Sequence, residues 1–157
     1  MIERNIIYLG DVKQEIKKLP NNSVDCCVTS PPYFGLRNYT ENKSEIGNEE
    51  TLEDYLDNLV EVFDDVRRVL KPTGIFYLNI GDSYSGSGKG RNKNGTIHES
   101  ALTSKQGTNK SVEGTIKGSG YKPNGIKREE LMNVPHRLVL ALSAAGWFHR
   151  DTSWSWF

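Results

Sequence analysis

Apolar residues along this chain fall into short unbroken runs and one long periodic stretch, and the two patterns predict different elements. Asn5-Ile6-Ile7-Tyr8-Leu9-Gly10-Asp11 holds four consecutive apolar residues closed by Gly-Asp. It reads as a short buried strand with a carboxylate at its carboxyl edge. Val12, Ile16 and Leu19 then share one helical face with lysines opposite, and Pro20-Asn21-Asn22 ends that helix. Val24-Asp25-Cys26-Cys27-Val28-Thr29 is a second buried run. Strand, helix and strand within about 25 residues predict a βαβ unit and hence a parallel sheet. Asp11 and Ser30 would emerge on the same sheet edge.

The periodic stretch runs from Thr51 to Leu70. Leu52, Tyr55, Leu56, Leu59, Val62, Phe63, Val66, Val69 and Leu70 recur at helical spacing, with acids and arginines on the other face. Thr51-Leu52-Glu53-Asp54 is a capping-box sequence. Lys71-Pro72-Thr73-Gly74 stops the helix, and Ile75-Phe76-Tyr77-Leu78-Asn79-Ile80 is a third strand, closed by Gly81-Asp82-Ser83-Tyr84. A later helix starts near Pro135, a favourable first-turn residue, and ends at Gly146. Trp147 to Trp154 is the candidate for a fourth strand. The alternation of strands and helices gives an α/β class, and 157 residues suffice for one domain with a sizeable core.

Ser30-Pro31-Pro32-Tyr33 follows the second strand and changes the picture most. In open α/β sheets, ligands bind outside the carboxyl ends of the strands. Each proline fixes its own φ and biases the preceding residue toward an extended conformation, so the carbonyls of this loop point in set directions. Those carbonyls and the Ser30 hydroxyl can accept from an exocyclic amino group. Tyr33 offers a ring face for stacking on a base, worth roughly 1–3 kcal/mol. Taken alone, the same four residues also describe an ordinary structural turn.

Charge divides the chain although its formal net charge is zero. Residues 85–128 hold 9 of the 15 glycines and a net charge of +7, against −6 for residues 1–84 and −1 for 129–157. A basic segment this poor in large apolar residues cannot build a core of its own. It reads either as a solvated loop or as an arm contacting double-stranded DNA, with Lys89, Arg91, Lys93, Lys105 and Lys110 neutralising phosphates. Such contacts carry no sequence information. Cys26 and Cys27 are flanked by apolar residues and are assigned to the core; two cysteines without a signal peptide fit a reducing cytoplasm. His98, His136 and His149 lack metal-ligand spacing, no run is long enough to span a membrane, and no phosphate loop points to another nucleotide-binding class.

Asp11, Thr29-Ser30-Pro31-Pro32-Tyr33, Arg68-Val69-Leu70-Lys71-Pro72-Thr73-Gly74 and Gly81-Asp82-Ser83-Tyr84 occur in that order. Together they resemble the bacterial and phage DNA amino-methyltransferases of the cytosine-N4/adenine-N6 group, over nearly the whole chain. The resemblance implies a Rossmann-like sheet in circularly permuted order. It implies methyl transfer from S-adenosylmethionine to the amino group of a base flipped out of the duplex. It assigns Ser30, Pro31, Pro32 and Tyr33 to the base pocket and Asp11, Ser30 and Asp82 to the cofactor, with no metal. Ser at the first motif position leans toward cytosine N4, with adenine N6 the alternative.

The family's Phe-x-Gly-x-Gly cofactor loop, expected after the base-pocket half, does not occur; Gly86-Ser87-Gly88-Lys89-Gly90 follows the wrong strand and lacks the phenylalanine. The chain is therefore expected to be the amino-terminal half of such an enzyme, as a truncated product, an excised domain or one piece of a split enzyme. The alternatives are a DNA-binding remnant without activity and an enzyme completed by a second chain. Missing strands would bare apolar surface beside the strand beginning at Asn5 and favour self-association.

Overall fold

The periodic stretch forms the helix at the centre of the core among the described residues. In a computed structural model, residues 5–34, 45–85 and 125–152 are described. The elements in chain order are a short helix α1 (Val12–Glu15) continuing as a 3₁₀ turn (Ile16–Lys18), strand β1 (Val24–Thr29), helix α2 (Leu52–Val69), strand β2 (Leu70–Leu78) and helix α3 (Val134–Ala144). Thr51 caps α2: its hydroxyl accepts from the Asp54 amide at 3.0 Å. Glu53 and Asp54 lie in the first turn and Arg67 and Arg68 in the last, complementing the helix dipole. Eight residues of one face, from Leu52 to Val69, are buried. Leu52, Tyr55, Leu59 and Leu138 are at most 1 % exposed. Full burial of each leucine stabilises by roughly 1.5–3 kcal/mol.

β1 and β2 pair in parallel, so the βαβ unit is β1–α2–β2. The predicted unit instead used residues 5–11 as its first strand, and that strand is not formed. Residues 6–9 pair in no ladder, and Ile7 and Leu9 are 96 % and 99 % exposed. A strand needs a neighbour to receive its backbone groups. Among the described residues, β1 and β2 satisfy only each other.

β2 also begins earlier than its apolar run suggests. Val24 pairs with Leu70 and Cys26 with Ile75, so Asp25 alone stands opposite Lys71–Gly74 in an irregular bulge. Lys71 Nζ closes it with a 2.6 Å ion pair to Asp25. The proline and glycine that stop the helix are thereby taken into the strand.

Side chains alternate across the two strands. Cys27, Phe76 and Leu78 turn toward α2 and α3, where the Phe76 ring meets Phe63 and Trp147, both at 4.9 Å between centroids. Val28, Ile75 and Tyr77 on the other face are 75 %, 52 % and 57 % exposed, and Cys26 is exposed beside them. Cys26 therefore does not belong to the core. Cys27 is half-buried, and burial, with Cys26 adjacent, pushes its thiol up. Trp147 packs on β2 rather than starting a fourth strand: residues 147–152 carry no strand. Arg68 ties the short amino-terminal helix to the core by donating to the carbonyls of Ile16 and Leu19 at 3.0 and 2.9 Å. No helix among the described residues is long and apolar enough to cross a membrane.

Candidate functional site

The β1–β2 ladder runs on to a bond from the Asn79 amide to the Thr29 carbonyl at 2.9 Å. There β1 must stop, because Pro31 and Pro32 have no amide hydrogen to give it. Ser30 is exposed, and Pro31, Pro32 and Tyr33 are half-buried. The motif therefore sits where expected, at the carboxyl end of a parallel strand.

Among the described residues, three neighbours meet it. The Tyr55 hydroxyl, on the first turns of α2, donates to the Pro32 carbonyl at 2.8 Å. Gly47, at φ 102°, passes so close that a Cβ there would lie 3.1 Å from the Tyr33 carbonyl oxygen and 3.3 Å from Pro32 Cβ. Both the left-handed backbone and the close approach call for glycine. Gly81 lies under the Tyr33 ring, and a Cβ there would fall 2.7 Å from Cε2. The ring rests on bare backbone just beyond the end of β2.

Asp82 is next in the chain, and its carboxylate has a structural task. Its Oδ1 accepts from the Ser83 amide at 2.8 Å and from the Val134 amide at 3.1 Å, across 52 residues. It thus caps α3 in place of Asn133, which sits at φ 56° and makes no side-chain cap. Tyr33, Phe34, Gly81, Asp82, Ser83 and Val134 line one recess. Its volume is about 30 Å³, room for water rather than for a base.

Asp11 is drawn into a different contact. With residues 6–9 unpaired, it is the N-cap of α1, accepting from the Lys13 amide at 2.8 Å. Among the described residues, no hydrogen bond ties it to Ser30 or Asp82. The structure thus brings Tyr33 and Asp82 to one recess, which Asp11 does not line. Each of the two carboxylates has a second oxygen that takes no hydrogen bond from the described residues. Such acceptors suit ribose hydroxyls, so the two carboxylates are compatible with the nucleoside part of S-adenosylmethionine.

Lys89, Arg91, Lys93, Lys105 and Lys110 lie outside the described residues. The two ends of the basic segment are described, and they meet. Ser85 donates to the Glu130 carbonyl at 2.8 Å and accepts from Glu129 at 2.6 Å; Met132 donates to the Ser83 carbonyl at 2.8 Å. Ser83 and Val134 flank this junction and also line the recess, so the segment leaves and re-enters the fold beside it.

Sequence reasoning gave Tyr55, Gly47 and Gly81 no role in the site. Tyr55 is one of a helical row of core residues. Its signal is chemical: a fully buried phenol must find a partner for its hydroxyl.

A DNA methylase family model matches residues 24–152. The Type II methyltransferase M.SmaI of Serratia marcescens is 39 % identical over 151 residues, 95 % of this chain and 47 % of its own. M.XycI of Xanthomonas campestris pv. cyanopsidis is 35 % identical over 157 residues, 99 % of this chain and 47 % of its own. The solved structure of the PvuII DNA methyltransferase (cytosine-N4-specific) is 30 % identical, covering 49 % of this chain and 25 % of that one, with a TM-score of 0.37. The chain spans about half the length of these curated relatives.

Proposed function

The chain belongs to the DNA methylase family, and from that premise we propose that it carries the target-base pocket of an S-adenosylmethionine-dependent DNA amino-methyltransferase acting on cytosine N4. The observation that carries this reading is the placement of Ser30-Pro31-Pro32-Tyr33 where β1 runs out, with the Tyr33 ring on Gly81 beside Asp82. Ser30 Oγ and the Pro31 carbonyl are acceptors to which no described residue donates. They would draw on both hydrogens of the exocyclic amino group. That favours a more pyramidal nitrogen, whose lone pair becomes available for in-line attack. When bound, S-adenosylmethionine supplies an electrophilic methyl group on a sulfonium.

A base needs more room than the 30 Å³ recess offers, so the Tyr33 ring leaves Gly81 and closes on the base as a stacking face. The basic segment, anchored next to this recess, supplies phosphate contacts from Lys89, Arg91, Lys93, Lys105 and Lys110. Asp11 and Asp82 are assigned to the nucleoside part of the cofactor, and the site of action is the bacterial or phage-infected cytoplasm.

The bare outer face of the sheet favours a second reading, in which a separate polypeptide completes the enzyme with the cofactor loop. One assay separates the readings: transfer of tritiated methyl groups from S-adenosylmethionine to unmethylated genomic DNA, then nucleoside mass spectrometry. The proposal expects N4-methylcytosine, lost in Ser30→Ala and Tyr33→Ala while both variants stay folded. N6-methyladenine would reassign the base. Transfer that survives both substitutions would overturn the pocket. Transfer only after adding a polypeptide that carries a Phe-x-Gly-x-Gly loop would establish the second reading.

A further inference from the structure

The loop Ser30–Tyr33 offers two adjacent proline carbonyls, and the fold already engages one of them. The Pro32 carbonyl already accepts from Tyr55 Oη at 2.8 Å. Tyr55 is fully buried, and its ring packs on Phe34 at 5.3 Å between centroids. It stands on the first turns of α2, which Thr51 caps. The donor is therefore rigid, and a rigid donor fixes the peptide plane it bonds to.

That plane joins Pro32 to Tyr33. Gly47 bounds it on one side: a Cβ placed there would lie 3.7 Å from the Pro32 carbonyl carbon. Resting on the base-pocket reading above, we propose that Tyr55 is a positioning residue of the pocket. Its hydroxyl occupies the Pro32 carbonyl and pins the Tyr33 backbone. The amino group is thereby left to Ser30 Oγ and the Pro31 carbonyl, while the Tyr33 ring alone swings between Gly81 and the base. Burial pushes the phenol above its ordinary range, with Glu49 and then Tyr33 adding to the effect, so Tyr55 remains a donor at any working pH.

Tyr55→Phe removes the hydroxyl and keeps the ring. Two readouts test the proposal: methyl transfer to unmethylated genomic DNA, and emission from a short duplex with 2-aminopurine opposite an abasic position at low salt. The variant should bind the duplex within about twofold of the wild type, since phosphate contacts are untouched. Its 2-aminopurine response should shrink several-fold. Its kcat should fall between about ten- and a hundredfold, with KM for DNA little changed.

Leu59→Ala is the structural control, destabilised through the core while the Tyr55 hydroxyl stays in place. At a temperature where both variants are folded, it should keep the wild-type response and kcat. A Tyr55→Phe variant that behaves like this control, with response and kcat intact, overturns the proposal. A wild-type chain that produces neither response nor transfer, alone or with an added polypeptide carrying a Phe-x-Gly-x-Gly loop, overturns the base-pocket reading itself, and this inference with it.

Discussion

The two faces of the β1–β2 sheet carry similar residues and have opposite fates. On one, Cys27, Phe76 and Leu78 meet α2, α3 and Trp147, and the aromatic row Phe63–Phe76–Trp147 fills the contact. On the other, Cys26, Val28, Ile75 and Tyr77 stand exposed, with Ile7 and Leu9 also bare. Hydrophobicity alone does not say which side of a strand is covered. The periodic helix decides it, because α2 presents one apolar stripe and a strand pair can seat it on one face only. The bare face also explains why residues 6–9 read as a buried strand: their composition suits a sheet larger than the two strands described.

The largest test of this contrast lies in the covered layer. Leu59→Ala removes a side chain that is 1 % exposed, and should cost about 2–5 kcal/mol in urea denaturation. A loss below about 1 kcal/mol would mean that α2 is not the centre of the core. The bare face should respond far less. Val28→Ala, at 75 % exposure, should change stability by no more than about 0.5 kcal/mol at low protein concentration. In analytical ultracentrifugation at high concentration, Val28→Lys with Tyr77→Lys should lower the sedimentation coefficient of a chain that self-associates through this face. A Val28→Ala cost as large as that of Leu59→Ala, at every concentration, would show the face to be covered.

The smallest effect concerns the exposed side of α2. Lys13 Nζ hydrogen-bonds Glu61 at 2.7 Å, and this bond, with the lysine's charge, holds the Glu61 carboxyl below the usual range. A depressed carboxylate stabilises the fold above its unfolded pKa and loses that contribution as pH falls through its folded value. Wild type should therefore lose slightly more stability than Glu61→Gln on acidification through and below the ordinary carboxylate range. Both partners are substantially solvent-exposed, so the difference should be near the detection limit and vanish in high salt.

Much of the fold was legible because it is local. Thr51, the stripe from Leu52 to Val69 and the helix-stopping Lys71-Pro72-Thr73-Gly74 define α2 to within a residue, and Pro135 and Gly146 bracket α3 equally well. Ser30-Pro31-Pro32-Tyr33 was legible for the same reason: two prolines end a strand whatever surrounds them. The misreadings are all non-local. The strand at 5–11 lacks a neighbour, β2 starts at Leu70 with Lys71 reaching Asp25, and Trp147 packs on Phe76 instead of opening a ladder.

The site divides along the same line. The sequence by itself determined which residues could meet a base, since stiffness, hydroxyl and ring are properties of Ser30, Pro31, Pro32 and Tyr33. Only the tertiary structure decided how they are held: Tyr55 reaches Pro32 across 23 residues, Asp82 caps α3 across 52, and Gly81 comes to lie under Tyr33. A helix closes its hydrogen bonds within four residues and so announces itself in a short window of sequence. A strand, a buried hydroxyl and a capping carboxylate find their partners elsewhere in the chain, where only the assembled fold brings them.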